Sequence, residues 1–188
     1  MPDRASFLRN LASAPTISLE KIWVRIVPRA WLEAKAPPDF LFTSGKPNRD
    51  NPGGVQCVYF SEDEATALLE YLSLWSGTGG EHQPRTTYFA RVQLEHALDL
   101  RDARTLAVLG LKARDLYQPW RLATAPTVTQ VLGQVISDQQ IICAIRFPSV
   151  SAHVAGPEGA NVVIFRDSIR HPSRVEILGP GKVPLQTW

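Results

Sequence analysis

Cysteine and histidine are scarce in this chain: Cys57 and Cys143 are its two cysteines, and His82, His96, His153 and His171 lie far apart along 188 residues. Two cysteines without histidines at close spacing do not make a zinc site. Both sit in apolar runs, VQCVYF and IICAIRF, and read as small buried hydrophobes in strands. A surplus of one charge is also missing. Twenty basic residues against 18 acidic ones leave +2, too little to make duplex nucleic acid the main partner, because such binding rests on many phosphate contacts. No apolar run approaches the roughly 18 residues of a membrane span. The opening MPDRASFLRNLASAP has too short and interrupted an apolar stretch for a secretory signal. The expectation is a cytoplasmic protein with no direct contact to nucleic acid or membrane. Familiar fingerprints are absent as well: GTGGEH lacks the G-x-G-x-x-G spacing and GPGK lacks the upstream glycine of a P-loop. There is no G-x-S-x-G elbow and no H-E-x-x-H.

What is present describes one domain. The length suits a single core that buries roughly 70% of the unfolded surface without metal or disulfide staples, and 44% hydrophobic residues argue against disorder. Fifteen prolines and 12 glycines break the chain too often for a long-helix bundle. Residues 5–13 suit a short helix. KIWVRIV, residues 21–27, alternates as a strand with Ile22, Val24 and Ile26 on one face and Trp23, Arg25 and Val27 on the other. Residues 34–54 form a long turn-rich stretch with an apolar island at Phe40–Phe42, and loops of that length are usually functional or disordered. VQCVYF reads as a strand. SEDEATALLEYLSLW reads as a helix opened by a Ser61–Glu64 capping box, with Ala65, Leu68, Leu69 and Leu72 toward the core and Glu70 beside that stripe.

Residues 76–84 suit a flexible turn, and RTTYFARVQL suits a strand. HALDLRDARTLAVLGL is helical in its second half, with Asp102 as a cap; TVTQVLGQVISD is a helix with Val128, Val131, Leu132 and Val135 on one face. QQIICAIRF ended by Pro148, NVVIF and RVEIL complete the strands, the last of them as an edge. The whole, residues 1–188, is one mixed domain without repeats.

One ordered constellation spans the chain. Arg49-Asp50-Asn51-Pro52 is followed ten residues after Arg49 by Tyr59 in a strand and eleven after that by Glu70 in a helix; Phe147-Pro148-Ser149 and Asn161-Val162-Val163-Ile164-Phe165 come later. Taken from the residues alone, Glu70 reads as a solvated helix residue, Arg49 as a surface arginine, Tyr59 as a core tyrosine and Ser149 as turn chemistry, whereas Arg25 between apolar neighbours needs a partner.

In order and spacing, however, the set resembles the RES-domain family over about residues 22–166. Asp50 stands where that family usually has an aromatic residue, Asn48 where it has glycine, and Arg25 is followed by Ile26 rather than an aromatic. These departures bear on the cleft wall rather than on the chemistry. The resemblance implies an α+β single domain with a twisted, mostly antiparallel sheet and flanking helices, similar to ADP-ribosyltransferases. It implies a toxin that degrades NAD at the nicotinamide–ribose bond, as an NAD glycohydrolase or NAD phosphorylase, neutralised by an Xre-type helix-turn-helix antitoxin. A homodimer within such a complex fits the same picture. NAD is then a substrate, and neither cofactor nor metal is required.

By the same resemblance Glu70, Arg49 and Tyr59 are the catalytic set. Glu70 faces the positive charge that develops on ribose, and Tyr59 stacks on nicotinamide. Arg25 and Arg49 clamp the pyrophosphate. Arg25, Ser149 (or Ser151, with a shift of register) and Asn161 are the substrate-binding set, Asn161 chiefly supporting its loop. Two rivals share the chain: transfer of ADP-ribose to a protein, and a degenerate domain that binds nucleotide or a protein without turnover.

Overall fold

In the computed structural model, residues 2–30, 41, 45–76, 83–179 and 184–188 are described. Most of the long stretch before Arg49 and of the 76–84 turn therefore lies outside the described residues; of the Phe40–Phe42 island only Leu41 lies within them, and it is fully buried. The strands are β1 Ile17–Pro28, β2 Cys57–Ser61, β3 Arg85–Asp99, β4 Ala144–Pro148, β5 Ala160–Phe165, β6 Arg174–Leu178 and β7 Pro184–Thr187. The helices whose whole extent is described are α1 Arg4–Leu11, α2 Glu64–Trp75, α3 Ala103–Leu109, α4 Val128–Gln139 and α5 Val150–Ala155, with 3-10 turns at Ala113–Tyr117, Trp120–Leu122 and Arg166–Ser168.

The seven strands pair in the order β1-β2-β5-β4-β3-β6-β7, and β1 pairs with β3 as well. That extra pairing closes five strands into a ring. Every pairing is antiparallel except β3 with β4. β3 can serve three partners because it is long: it pairs with β1 along Arg85–Ala97, while its other edge takes β6 at Phe89–Gln93 and then β4 at Ala97–Asp99. Strand alternation divides the core. Trp23, Val58, Phe60, Val92, Val162 and Ile164 form a cluster made almost wholly of strand residues. Cys57, Ile145, Phe147, Val163 and Phe165 point to the opposite face, where Phe7, Leu109, Leu132 and Ile136 of α1, α3 and α4 cover them. The fold is α+β in a single domain.

Four local expectations change. RVEIL is not an edge, because β7 pairs outside it. β1 and β3 run longer than the alternation marked: the polar Glu20 and Lys21 stay paired with Gln93 and Val92, and the pairing resumes at Ile17 and Ala97 beyond a register shift at Glu95-His96. The cap of α2 is Asp63, whose carboxylate accepts from the Thr66 amide at 2.7 Å, while Ser61 belongs to β2. The buried face of α2 carries Thr66, Ala67 and Tyr71; Ala65 is exposed, and Leu68, Leu69 and Leu72 are half-buried. α2 packs on β1, β2 and α5, and Glu70 turns inward from it toward Ser149, Ser151 and Asn161.

Candidate active site

One transverse row of the sheet lays out the floor. Val24 of β1 pairs with Ser61 of β2, Ser61 with Asn161 of β5, and Asn161 with Phe147 of β4. All four line a single cleft of about 300 Å³, together with Arg25, Arg49, Tyr59, Glu70, Tyr71, Ser151 and Trp120 among others. Because side chains on one face recur every second residue, Tyr59 and Ser61 share a side of β2, and the Tyr59 ring meets the Phe147 ring edge-on at 6.3 Å.

Glu70 reaches that floor from α2 and is held at both oxygens. Its Oε1 accepts from Ser149 Oγ at 2.6 Å and from Asn161 Nδ2 at 2.7 Å; its Oε2 accepts from Ser151 Oγ at 2.9 Å. Asn161 is itself fixed, its Oδ1 accepting from Ser61 Oγ at 2.8 Å. The two serines differ in place. Ser149 is 1% exposed and caps α5, its Oγ accepting from the Ala152 amide at 3.0 Å, so it stands behind Glu70 and outside the cleft lining. Ser151 lines the cleft.

The opposite wall is the Arg49 segment, pinned onto α4. Thr129 Oγ1 donates to the Arg49 carbonyl at 2.7 Å and Gln130 Nε2 to the Asn48 carbonyl at 2.7 Å. At Gly133 the helix approaches so closely that an added Cβ would run into the Asp50 carbonyl. Tyr59 Oη donates to Asn51 Oδ1 at 2.8 Å and accepts from the Asp50 amide at 3.1 Å. Burial holds the Tyr59 phenol well above its usual range, so it stays neutral as that donor. Arg49 donates to the carbonyls of Leu116 at 3.0 Å and Gln118 at 3.4 Å; Arg25 donates to the Tyr59 carbonyl at 2.8 Å. Burial lowers Arg25 to about 10, so it remains a cation at neutral pH. Neither arginine is ion-paired to a carboxylate among the described residues.

Asp50 is 1% exposed and its Oδ2 has no hydrogen-bond partner. Burial raises its carboxyl to about 7, against the pull of Arg49 and with the help of Glu70. The unfolded chain releases this proton near 3.8 while the folded chain keeps it to about 7. Stability therefore falls as pH rises across that window and is level above it. Asp50→Asn removes the dependence: the variant is expected to match the wild type near pH 4 and to exceed it by about 2–4 kcal/mol near pH 8. Denaturant unfolding across that range checks this, and a gain that does not grow with pH would show that Asp50 does not titrate there.

The structure thus brings Arg25, Arg49, Tyr59, Glu70, Ser151 and Asn161 to one cleft, with Ser149 directly behind Glu70. Sequence reasoning passed over Ser61, Trp120 and Arg121, which share the lining. Only the register of β2 on β5 reveals Ser61, and Trp120 lies in a segment without periodicity. Among the described residues no group of three or more His, Cys, Asp or Glu could hold a metal ion, and no helix is long and apolar enough to cross a membrane.

No curated protein is detectably similar to the chain in sequence. The fold is similar to that of a chain in the crystal structure of the M. tuberculosis MbcT–MbcA toxin–antitoxin complex, with a TM-score of 0.65 over 97% of this chain and 91% of that one. At 16% identity, that likeness speaks to architecture alone. A family model, the RES domain, matches residues 22–186, from β1 into β7 and so beyond the 22–166 span read from the motifs. That match takes in nearly every element that builds the cleft, and the protein belongs to the RES-domain family.

Proposed function

We propose that this protein is the toxin of a toxin–antitoxin pair and that it breaks the nicotinamide–ribose bond of NAD. Family membership and the likeness to a chain of a toxin–antitoxin complex support the biological role. One observation carries the chemistry: the Glu70 carboxylate is fixed by three side-chain donors in a cleft that also holds two arginines without carboxylate partners among the described residues.

When the glycosidic C–N bond breaks, its electron pair leaves with the nicotinamide nitrogen, which becomes neutral. Positive charge then spreads over the ribose carbon and ring oxygen, as in glycoside hydrolysis. Glu70 stabilises that charge, and its three donors hold it in place before the reaction, so little reorganisation is needed. Arg25 and Arg49 supply the cations for the pyrophosphate. An acceptor oxygen then bonds to the ribose carbon: water, losing a proton, gives ADP-ribose, and inorganic phosphate gives its 1-phosphate ester. Ser151 and Asn161 hold Glu70 and border the ribose; Tyr59 offers a ring face fixed by Asn51. NAD is the substrate and no cofactor enters. An Xre-type helix-turn-helix antitoxin that occludes the cleft completes the cytoplasmic pair.

Purified protein incubated with NAD, with and without inorganic phosphate, is expected to release nicotinamide in step with NAD loss. Stimulation by phosphate assigns phosphorolysis, and its absence assigns hydrolysis. No NAD loss in either condition would overturn the reading and turn attention to a protein acceptor.

A further inference from the structure

The reaction itself makes no use of the rim formed by Trp120 and Arg121. Both line the cleft, yet the stretch from Arg121 to Pro126 is exposed throughout, with Leu122 82% exposed. Trp120 is half-buried, and the Arg121 guanidinium carbon stands 5.2 Å from its ring centroid. A large aromatic face in the lining of a cleft that also carries arginines, with a cation over it, suits a planar base joined to a phosphate.

The placement of this rim is tied to Arg49. The Gln118 carbonyl accepts both from the Arg49 guanidinium at 3.4 Å and from the Trp120 backbone amide at 2.9 Å. A single oxygen therefore sets the distance between the pyrophosphate cation and the start of the aromatic rim. The Leu116 carbonyl, two residues earlier, takes the second Arg49 bond at 3.0 Å, and the buried Asp115 closes the same turn by accepting from the Lys112 amide at 2.9 Å. Within a dinucleotide, the scissile ribose must lie at Glu70 and the phosphates at the arginines. The ring beyond the phosphates then falls beside Arg49, on the turn that carries Trp120. Tyr59 cannot serve there, since it stands on the sheet floor with its hydroxyl held by Asn51.

We infer that Trp120 is the stacking platform for the adenine of the substrate, with Arg121 on the adenylate phosphate. This deepens the NAD reading and rests on it. It also implies that part of the affinity comes from a region remote from the bond that breaks, which is where an enzyme gains from a large substrate.

The test uses the full chain and two half-substrates, AMP and nicotinamide mononucleotide, whose binding is measured by equilibrium dialysis. Trp120→Ala is expected to weaken AMP about tenfold, Trp120→Phe to restore most of that, and nicotinamide mononucleotide to change less than twofold in both. A thermal melt on each variant confirms folding. Parallel loss of both ligands would assign Trp120 a structural role and overturn the inference. So would an unchanged AMP affinity, or wild-type protein that does not bind AMP. NAD consumption by the wild type is scored separately: an intact AMP result with no NAD turnover would sink the proposed reaction and leave the adenine site standing.

Discussion

Glu70→Gln is expected to lower NAD turnover by about a hundred- to a thousandfold while the protein remains folded. The change keeps the shape of the side chain and removes its charge. The remaining carbonyl oxygen still accepts from Ser149 and Asn161, where Glu70 Oε1 does so now at 2.6 and 2.7 Å. The new amide meets Ser151, whose hydroxyl can rotate to accept instead of donate. Nothing in the fold therefore has to move. What is lost is the interaction with charge that exists only as the C–N bond breaks, so kcat should fall and KM should hold. Steady-state nicotinamide release over a range of NAD concentrations separates the two. A rise in KM with kcat unchanged would reduce Glu70 to a substrate-binding group.

The second large effect lies outside the cleft. Gly133→Ala places a methyl group against the backbone carbonyl of Asp50, with the carbonyl carbon 2.8 Å away. Both parties are backbone, one in α4 and one in a segment pinned by Thr129, Gln130 and Tyr59. No side chain can simply turn aside. Overpacking of this kind costs about 3 kcal/mol or more, which for a chain of this length corresponds to a fall of roughly 6–12 °C in Tm. Should the Asp50 segment yield instead, Tm falls less, but Arg49 and Tyr59 are displaced and turnover collapses. Thermal unfolding and NAD turnover measured on the same preparation cover both routes. A variant normal in both would show that the close approach is not needed.

How much of this could be read from the residues depends on what each element answers to. β2 and β5 are short apolar runs buried on both faces and were legible as such, as were β6 and α4, whose apolar spacing is reinforced by a Thr127–Gln130 capping box. α3 was legible from its spacing and from Asp102, which accepts from the Thr105 amide; the structure adds that Gly110 ends the helix in the left-handed conformation. α2 misled because its hydropathy and its burial disagree: the leucines mark one face, but the inward face carries Thr66, Ala67, Glu70 and Tyr71, since it borders a cleft rather than a core. The closing of β1 onto β3 was invisible, because pairing between distant segments leaves no periodic trace. Spacing along the chain marked Arg49, Tyr59 and Glu70 as a set through family resemblance, while the Ser61–Asn161 support and the difference between Ser149 and Ser151 depend on register and on a helix cap. Asp50 shows the other limit. A single aspartate in a turn-rich stretch gives no sign that α4 will bury it.

The row Val24–Ser61–Asn161–Phe147 has a consequence for synthesis. It takes one residue from each of β1, β2, β5 and β4, and β5, last of these along the chain, lies between β2 and β4. A nascent chain lacking β5 therefore has no floor on which to seat Glu70, and β2 has no neighbour on that side. Partially made or truncated chains that end before Asn161 are consequently unable to assemble the cleft, however well their earlier helices form. The chemistry arrives late and all at once, which confines it to chains that have already folded.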